Sequence, residues 1–178
     1  MGSLKRTVAL VGMMGVGKSS VGRRLAGRLG VPFCDADSEI EAAAGCSIAE
    51  IFERFGEAAF RDGERRVLLR LLREPPHVLA TGGGALLDPA TRAGIASDAI
   101  SVWLRAPIEL ILARVARRDT RPLLRQGDPR ETLERLLAER EPLYAQAKIV
   151  IDAAQGPHAG VVERIVAALG EIGVVEQP

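Results

Sequence analysis

Apolar residues fall along this chain in two rhythms: short unbroken runs, and longer stretches that repeat every three to four positions. The unbroken runs are Thr7–Val11, Val31–Cys34, His77–Thr81, Ala99–Leu104 and Lys148–Ile151. Runs of that length predict strands buried on both faces of a sheet. Between them the period turns helical. In Ser19–Leu29, Val21, Leu25 and Leu29 recur at spacings of four and share one face. Ser38–Ala44 and Ile48–Phe55 predict short helices, and Ala58–Leu72 a longer one stopped by Pro75 and Pro76. Pro89–Ala96 is predicted helical, Pro107 suits the start of a helix over Ile108–Val115, and Pro129–Tyr144 and Ala159–Leu169 complete the set. Arg117–Asp128 is polar, basic and non-periodic, which predicts a loop; Glu171–Pro178 predicts a frayed end.

Strand and helix alternate from end to end. That order implies an α/β fold: parallel strands joined by right-handed crossovers, with helices on both faces of the sheet. A chain of 178 residues suits one domain, and no repeat or linker interrupts it. Ligands of such folds bind outside the carboxyl ends of the strands. The candidate motifs follow predicted strands or lie on the helices and loop that come next.

The first is Gly12-Met13-Met14-Gly15-Val16-Gly17-Lys18-Ser19, which fits GxxxxGK[ST]. Its glycines let the backbone turn tightly and aim N–H groups at phosphate oxygens, and the helix that follows adds its positive end. Lys18 suits contact with the β- and γ-phosphates, and the Ser19 hydroxyl suits Mg2+. The strand before and the helix after are the context this motif requires.

Asp35 and Asp37 flank Ala36 just after the second predicted strand. In extended chain both carboxylates face one side. Phosphoryl transfer needs a metal-orienting carboxylate and an acceptor for the substrate hydroxyl proton. Helix capping by Asp37 or Ser38 is the competing role. Arg61 and Arg140 each carry a guanidinium fork that matches a carboxylate, so a pair of them selects a small acid. The competing role for Arg61 is an i,i+3 pair with Glu64. Gly82-Gly83-Gly84 follows the third strand and lets a ligand approach the backbone. Arg117, Arg118, Arg121 and Arg125 punctuate the loop before Pro129, and Arg121 is anchored by Pro122-Leu123-Leu124. An Arg-bearing lid excludes water and brings positive charge to the transferring group.

Composition narrows the partners. The net charge of +1 supplies no long-range field for nucleic acid or a membrane surface. Aromatics make up 3% of the chain, so aliphatic residues must fill the core. Cys34 and Cys46 lack metal or disulfide spacing and are expected as reduced thiols; His77 and His158 stand alone and are expected to be structural or incidental. The apolar run near the start is too brief for a signal peptide or a span. The expectation is a soluble cytoplasmic monomer.

Taken together, these motifs resemble the shikimate kinase family from about Thr7 to Leu169. The resemblance rests on Gly12–Ser19, Asp35-Ala36-Asp37, Phe60-Arg61 with Glu64, Gly82-Gly83-Gly84-Ala85, Arg121-Pro122-Leu123-Leu124, and Glu139-Arg140 with Pro142-Leu143-Tyr144. It implies a three-layer, nucleoside-monophosphate-kinase-like P-loop kinase fold, with a five-stranded parallel sheet in order 2-3-1-4-5. It implies transfer of the ATP γ-phosphoryl group to the 3-hydroxyl of shikimate, on the route to aromatic amino acids. The substrate-binding segment is expected at about 35–64 and the lid at about 116–128. The nucleotide is implied to lie on Gly12, Gly15, Val16, Gly17, Lys18, Ser19 and Ser20, with Arg114 near adenine and Arg121 on the phosphates. Asp37 is implied as base and hydroxyl contact. Arg61 and Arg140 clamp the carboxylate, with Gly82, Gly83 and Gly84 closing the pocket. Ser19 and Asp35 hold Mg2+. The loop Ala153–His158 carries no Arg, where some members stack one on adenine; Gln155 is the candidate contact there.

Overall fold

Five parallel strands form one sheet: β1 (Thr7–Val11), β2 (Phe33–Asp35), β3 (Val78–Ala80), β4 (Ala99–Arg105) and β5 (Ile149–Asp152), in the order β2-β3-β1-β4-β5. These elements are seen in a computed structural model that describes residues 3–117, 127–154 and 156–175. β1 is the central strand, and all five of its residues are buried. Val8 lies level with Val78 of β3 on one side and Ile100 of β4 on the other. A strand covered on both faces has no use for alternation, hence the unbroken apolar run.

Among the described residues, seven α-helices connect and cover the strands: α1 (Lys18–Leu29), α2 (Ala36–Ala44), α3 (Ile48–Leu71), α4 (Pro89–Asp98), α5 (Ile108–Val115), α6 (Pro129–Tyr144) and α7 (His158–Glu171). The core divides into two apolar layers, one on each face of the sheet. Val21, Leu25 and Leu29 of α1 join Ile165 and Leu169 of α7 in one. Leu68 and Leu71 of α3 join Leu133, Leu136 and Tyr144 of α6 in the other. The first layer needs close approach: a Cβ on Gly22 would stand 2.5 Å from the ring of Phe33, so glycine lets α1 lie against β2.

The predicted strands all form, with ends displaced by one or two residues where turns claim them. The two helices expected over Ile48–Phe55 and Ala58–Leu72 run end to end as α3, broken at Gly56 (φ 84°, ψ 173°). A turn of 3-10 helix over Ala85–Leu87 follows the triple glycine and was not foreseen. Of the segment expected to fray, the described residues 171–175 are held in place, and 176–178 lie outside the described residues. Val174 is buried, its carbonyl accepts from Lys5 N–H at 3.1 Å, and Val175 bridges Leu4. Among the described residues, no helix is long and apolar enough to cross a membrane.

Candidate active site

The carboxyl ends of β1, β2 and β3 open into one cleft of about 270 Å³. Gly15, Gly17, Lys18, Ser19 and Ser20 line it from the first loop and helix. Asp35 and Asp37 line it from the second connection, Thr81, Gly82 and Gly83 from the third, and Arg114 and His158 from α5 and α7.

The phosphate loop takes its shape from its glycines. Gly12, Gly15 and Gly17 have φ of 143°, 78° and 102°, a region that side chains avoid. A Cβ on Gly12 would meet the Leu104 carbonyl at 2.7 Å, and one on Gly15 would meet Val115 at 2.9 Å. Gly17 precedes α1 and offers no side-chain cap, so the first N–H groups of that helix face the loop with their positive end uncapped. Lys18 Nζ donates to the carbonyls of Gly12 (2.5 Å) and Met13 (2.9 Å), which folds the ammonium back over the loop. Val16 is buried and contributes backbone only: its carbonyl accepts from Arg114 Nη1 at 2.7 Å.

Asp35 serves two partners. Its Oδ1 accepts from the N–H groups of Asp37 (3.0 Å) and Ser38 (3.4 Å), and Oδ2 accepts from Ser19 Oγ at 2.5 Å. The cap of α2 is therefore Asp35, rather than Asp37 or Ser38. Asp37 belongs to the first turn of α2, so the two carboxylates reach one cleft by a strand-to-helix turn and not by alternation along extended chain. The Ser19 hydroxyl and the Asp35 carboxylate are hard oxygen donors held together, a set that fits Mg2+ alongside substrate phosphates.

Arg61 and Arg140 stand behind the triple glycine. A Cβ on Gly84 would lie 2.5 Å from both terminal nitrogens of Arg61, and one on Gly83 would lie 3.2 Å from Arg140 Nη1. None of the three glycines has positive φ, so their first use is space for side chains. Arg61 does make the expected pair with Glu64, at 2.9 Å, and a second with Glu57 at 3.4 Å. Yet this is no solvated surface pair, since Glu64 is only 2% exposed. Burial pushes the Glu64 carboxyl above its ordinary range, Arg61 opposes, and Asp37 adds to the rise. Arg140 is likewise 2% exposed. Nε of Arg61, Nε of Arg140 and Oε2 of Glu64 are buried without a hydrogen-bond partner. Buried polar groups left open in this way are rare in folded proteins.

His158, expected to be structural or incidental, stands at the cleft. It starts α7, lines the cleft, and places its Cε1 3.2 Å from where a Gly17 Cβ would be. Burial, with Arg114 and Arg24, holds its imidazole below the ordinary value. A lone histidine carries no motif, so only packing reveals this position. Thr81 was also missed; its hydroxyl donates to the Leu10 carbonyl at 2.8 Å and ties β3 to β1 beside the cleft. Arg118, Arg121, Arg125 and Gln155 lie outside the described residues.

A phosphate loop after β1 of a 2-3-1-4-5 parallel sheet, facing paired carboxylates and a glycine-walled recess, defines a P-loop phosphotransferase. The profile of the family described as shikimate kinase matches residues 14–170. The shikimate kinase of Caulobacter vibrioides (strain NA1000 / CB15N) is 59% identical over 164 residues, 92% of this chain and 82% of that protein. That of Paramagnetospirillum magneticum (strain ATCC 700264 / AMB-1) is 56% identical over 168 residues, 94% and 86% of the two chains. Among solved structures, the shikimate kinase from Acinetobacter baumannii in complex with shikimate superposes with a TM-score of 0.92. It is 40% identical to this chain, and the match covers 94% of each. The chain belongs to the shikimate kinase family, and its activity is ATP-dependent phosphorylation of shikimate, a step toward aromatic amino acids.

Proposed function

We propose that this chain carries out the family reaction with Asp37 as base and with Arg61 and Arg140 as the carboxylate clamp. The γ-phosphoryl group of ATP passes to the 3-hydroxyl of shikimate, yielding shikimate 3-phosphate and ADP. Asp37 accepts the hydroxyl proton as the oxygen bonds to phosphorus, and the bond from that phosphorus to the bridging oxygen breaks toward ADP. Gly12, Gly15, Val16 and Gly17 cradle the phosphates through the backbone, with Ser20 and Lys18 beside them. Lys18 offsets the growing charge, and Arg114 sets the adenine side. Ser19, supported by Asp35, would hold Mg2+, which neutralises phosphate charge when bound. Arg121 keeps its expected lid role on the phosphates. Gly82, Gly83 and Gly84 form the wall against the acceptor.

The observation that carries this reading is that Lys18 and Asp37 line the same cleft. The buried, unpartnered Nε atoms of Arg61 and Arg140 support the anion site. Charged hydrogen bonds of this kind contribute about 1.5–3 kcal/mol each, a factor of roughly 10–100. Arg61→Ala and Arg140→Ala are therefore expected to raise KM for shikimate about 10–100-fold with KM for ATP nearly unchanged. Asp37→Asn is expected to lower kcat about 100-fold or more. Steady-state kinetics check all three. Wild-type constants in each would remove the acceptor site from this cleft.

A further inference from the structure

Tyr144 has no part in the chemistry above, yet it is the largest fully buried side chain among the described residues. Its ring packs on Trp103, with centroids 5.9 Å apart. Its hydroxyl donates to the carbonyl of Gly83 and stands 3.7 Å from Met13 Sδ. Arg140 lies one turn earlier on α6, and its positive charge acts on the same hydroxyl.

A buried phenol needs an acceptor, and many carbonyls would serve. The one used here belongs to a run of three glycines, the residues whose backbone is hardest to hold still. The chain has no cis peptide bond among its described residues. In a trans peptide the C=O and the next N–H point in opposite directions. A fixed Gly83 carbonyl therefore fixes the Gly84 N–H on the far side of the same plane. Gly84 lies directly against the Arg61 guanidinium, and Gly83 against that of Arg140.

We propose that Tyr144 is a positioning residue for the acceptor: its hydroxyl locks the Gly83–Gly84 peptide so that the Gly84 N–H joins Arg61 and Arg140 in binding one carboxylate. The inference rests on the carboxylate role of those two arginines. It reaches beyond core packing, because Tyr144→Phe keeps the ring on Trp103 and removes only the hydroxyl, with its bond to the Gly83 carbonyl and its contact with Met13. Burial pushes the phenol up to about 12, so it remains a donor throughout the neutral range and its contribution is independent of pH there.

The test compares wild type, Tyr144→Phe and Arg140→Ala by steady-state kinetics, by calorimetric titration with shikimate and by thermal unfolding. Tyr144→Phe is expected to raise both KM and Kd for shikimate about tenfold, the worth of one buried hydrogen bond. KM for ATP should stay within about twofold by the same argument, since the hydroxyl reaches the phosphate loop only at the Met13 side chain and no backbone group that faces the phosphates. If Arg140→Ala weakens shikimate and Tyr144→Phe does not, the lock is overturned while the acceptor site stands. If neither weakens it, the acceptor site itself falls. A rise in both Michaelis constants in step with a lower melting temperature also overturns the lock, by reducing Tyr144 to core filling. In 15N-labelled wild-type protein the Gly84 amide proton should move downfield on adding shikimate, and an unmoved signal would refute the proposal without any variant.

Discussion

Glu64 sits where few carboxylates do: one oxygen holds Arg61, the other has no partner, and almost no water reaches either. Burial raises its pKa above the ordinary 4.5, against the pull of Arg61. Between 4.5 and that raised value the folded protein binds more protons than the unfolded chain. Stability from this group is thus full at low pH and is lost as pH rises through the folded value. Glu64→Gln cannot titrate. Its melting temperature relative to wild type should therefore climb as pH is raised from about 4.5 toward neutrality. Parallel melting curves across that range would show that Glu64 keeps an ordinary pKa. At this scale the sequence displayed the Arg61–Glu64 spacing but not its burial, which sets the pair apart from a solvated surface pair.

Among the elements, α3 depends on a single glycine. Gly56 breaks it at φ 84° and ψ 173°, in backbone space that only glycine occupies freely. A Cβ there would touch nothing within 4 Å, so alanine brings no clash. Gly56→Ala is expected to cost about 1–3 kcal/mol from backbone strain alone. The urea midpoint should fall with the m-value unchanged. An unaltered midpoint would mean that the two halves straighten without penalty. The apolar period had already separated these halves at Phe55 and Ala58, because local phase is written in neighbouring residues. By contrast, the capping role that competed for Asp37 or Ser38 falls to Asp35. Asp35 ends a strand and caps a helix at once, and neither role shows until the chain turns.

For the molecule as a whole, the cleft joins loops from both layers, so ligand binding should stiffen all of it. ADP with Mg2+ at a hundred times its Kd adds about 2.7 kcal/mol to stability. For a chain of this size that is a rise of roughly 5–10 °C in melting temperature. Asp35→Asn keeps a good helix cap but loses the carboxylate beside Ser19. Its free form should melt near wild type, while its ADP-induced shift should no longer increase when Mg2+ is added. If Mg2+ still enhances the shift, Asp35 does not support the metal.

The amino-acid sequence by itself determined the strand–helix alternation, the helical phases and the phosphate loop. These depend on contacts between near neighbours and on glycines whose φ values no other residue tolerates cheaply. Its resemblance to a family supplied the strand order, which periodicity alone does not set. Only the tertiary structure decided what surrounds the proposed acceptor site. Arg61 from α3, Arg140 and Tyr144 from α6, and the glycines after β3 come together through packing across one face of the sheet. Their burial and their open polar atoms arise from that packing, and the approach of His158 to Gly17 from the packing of α7 on the other face. Such contacts join residues distant in the chain, and no local preference encodes them.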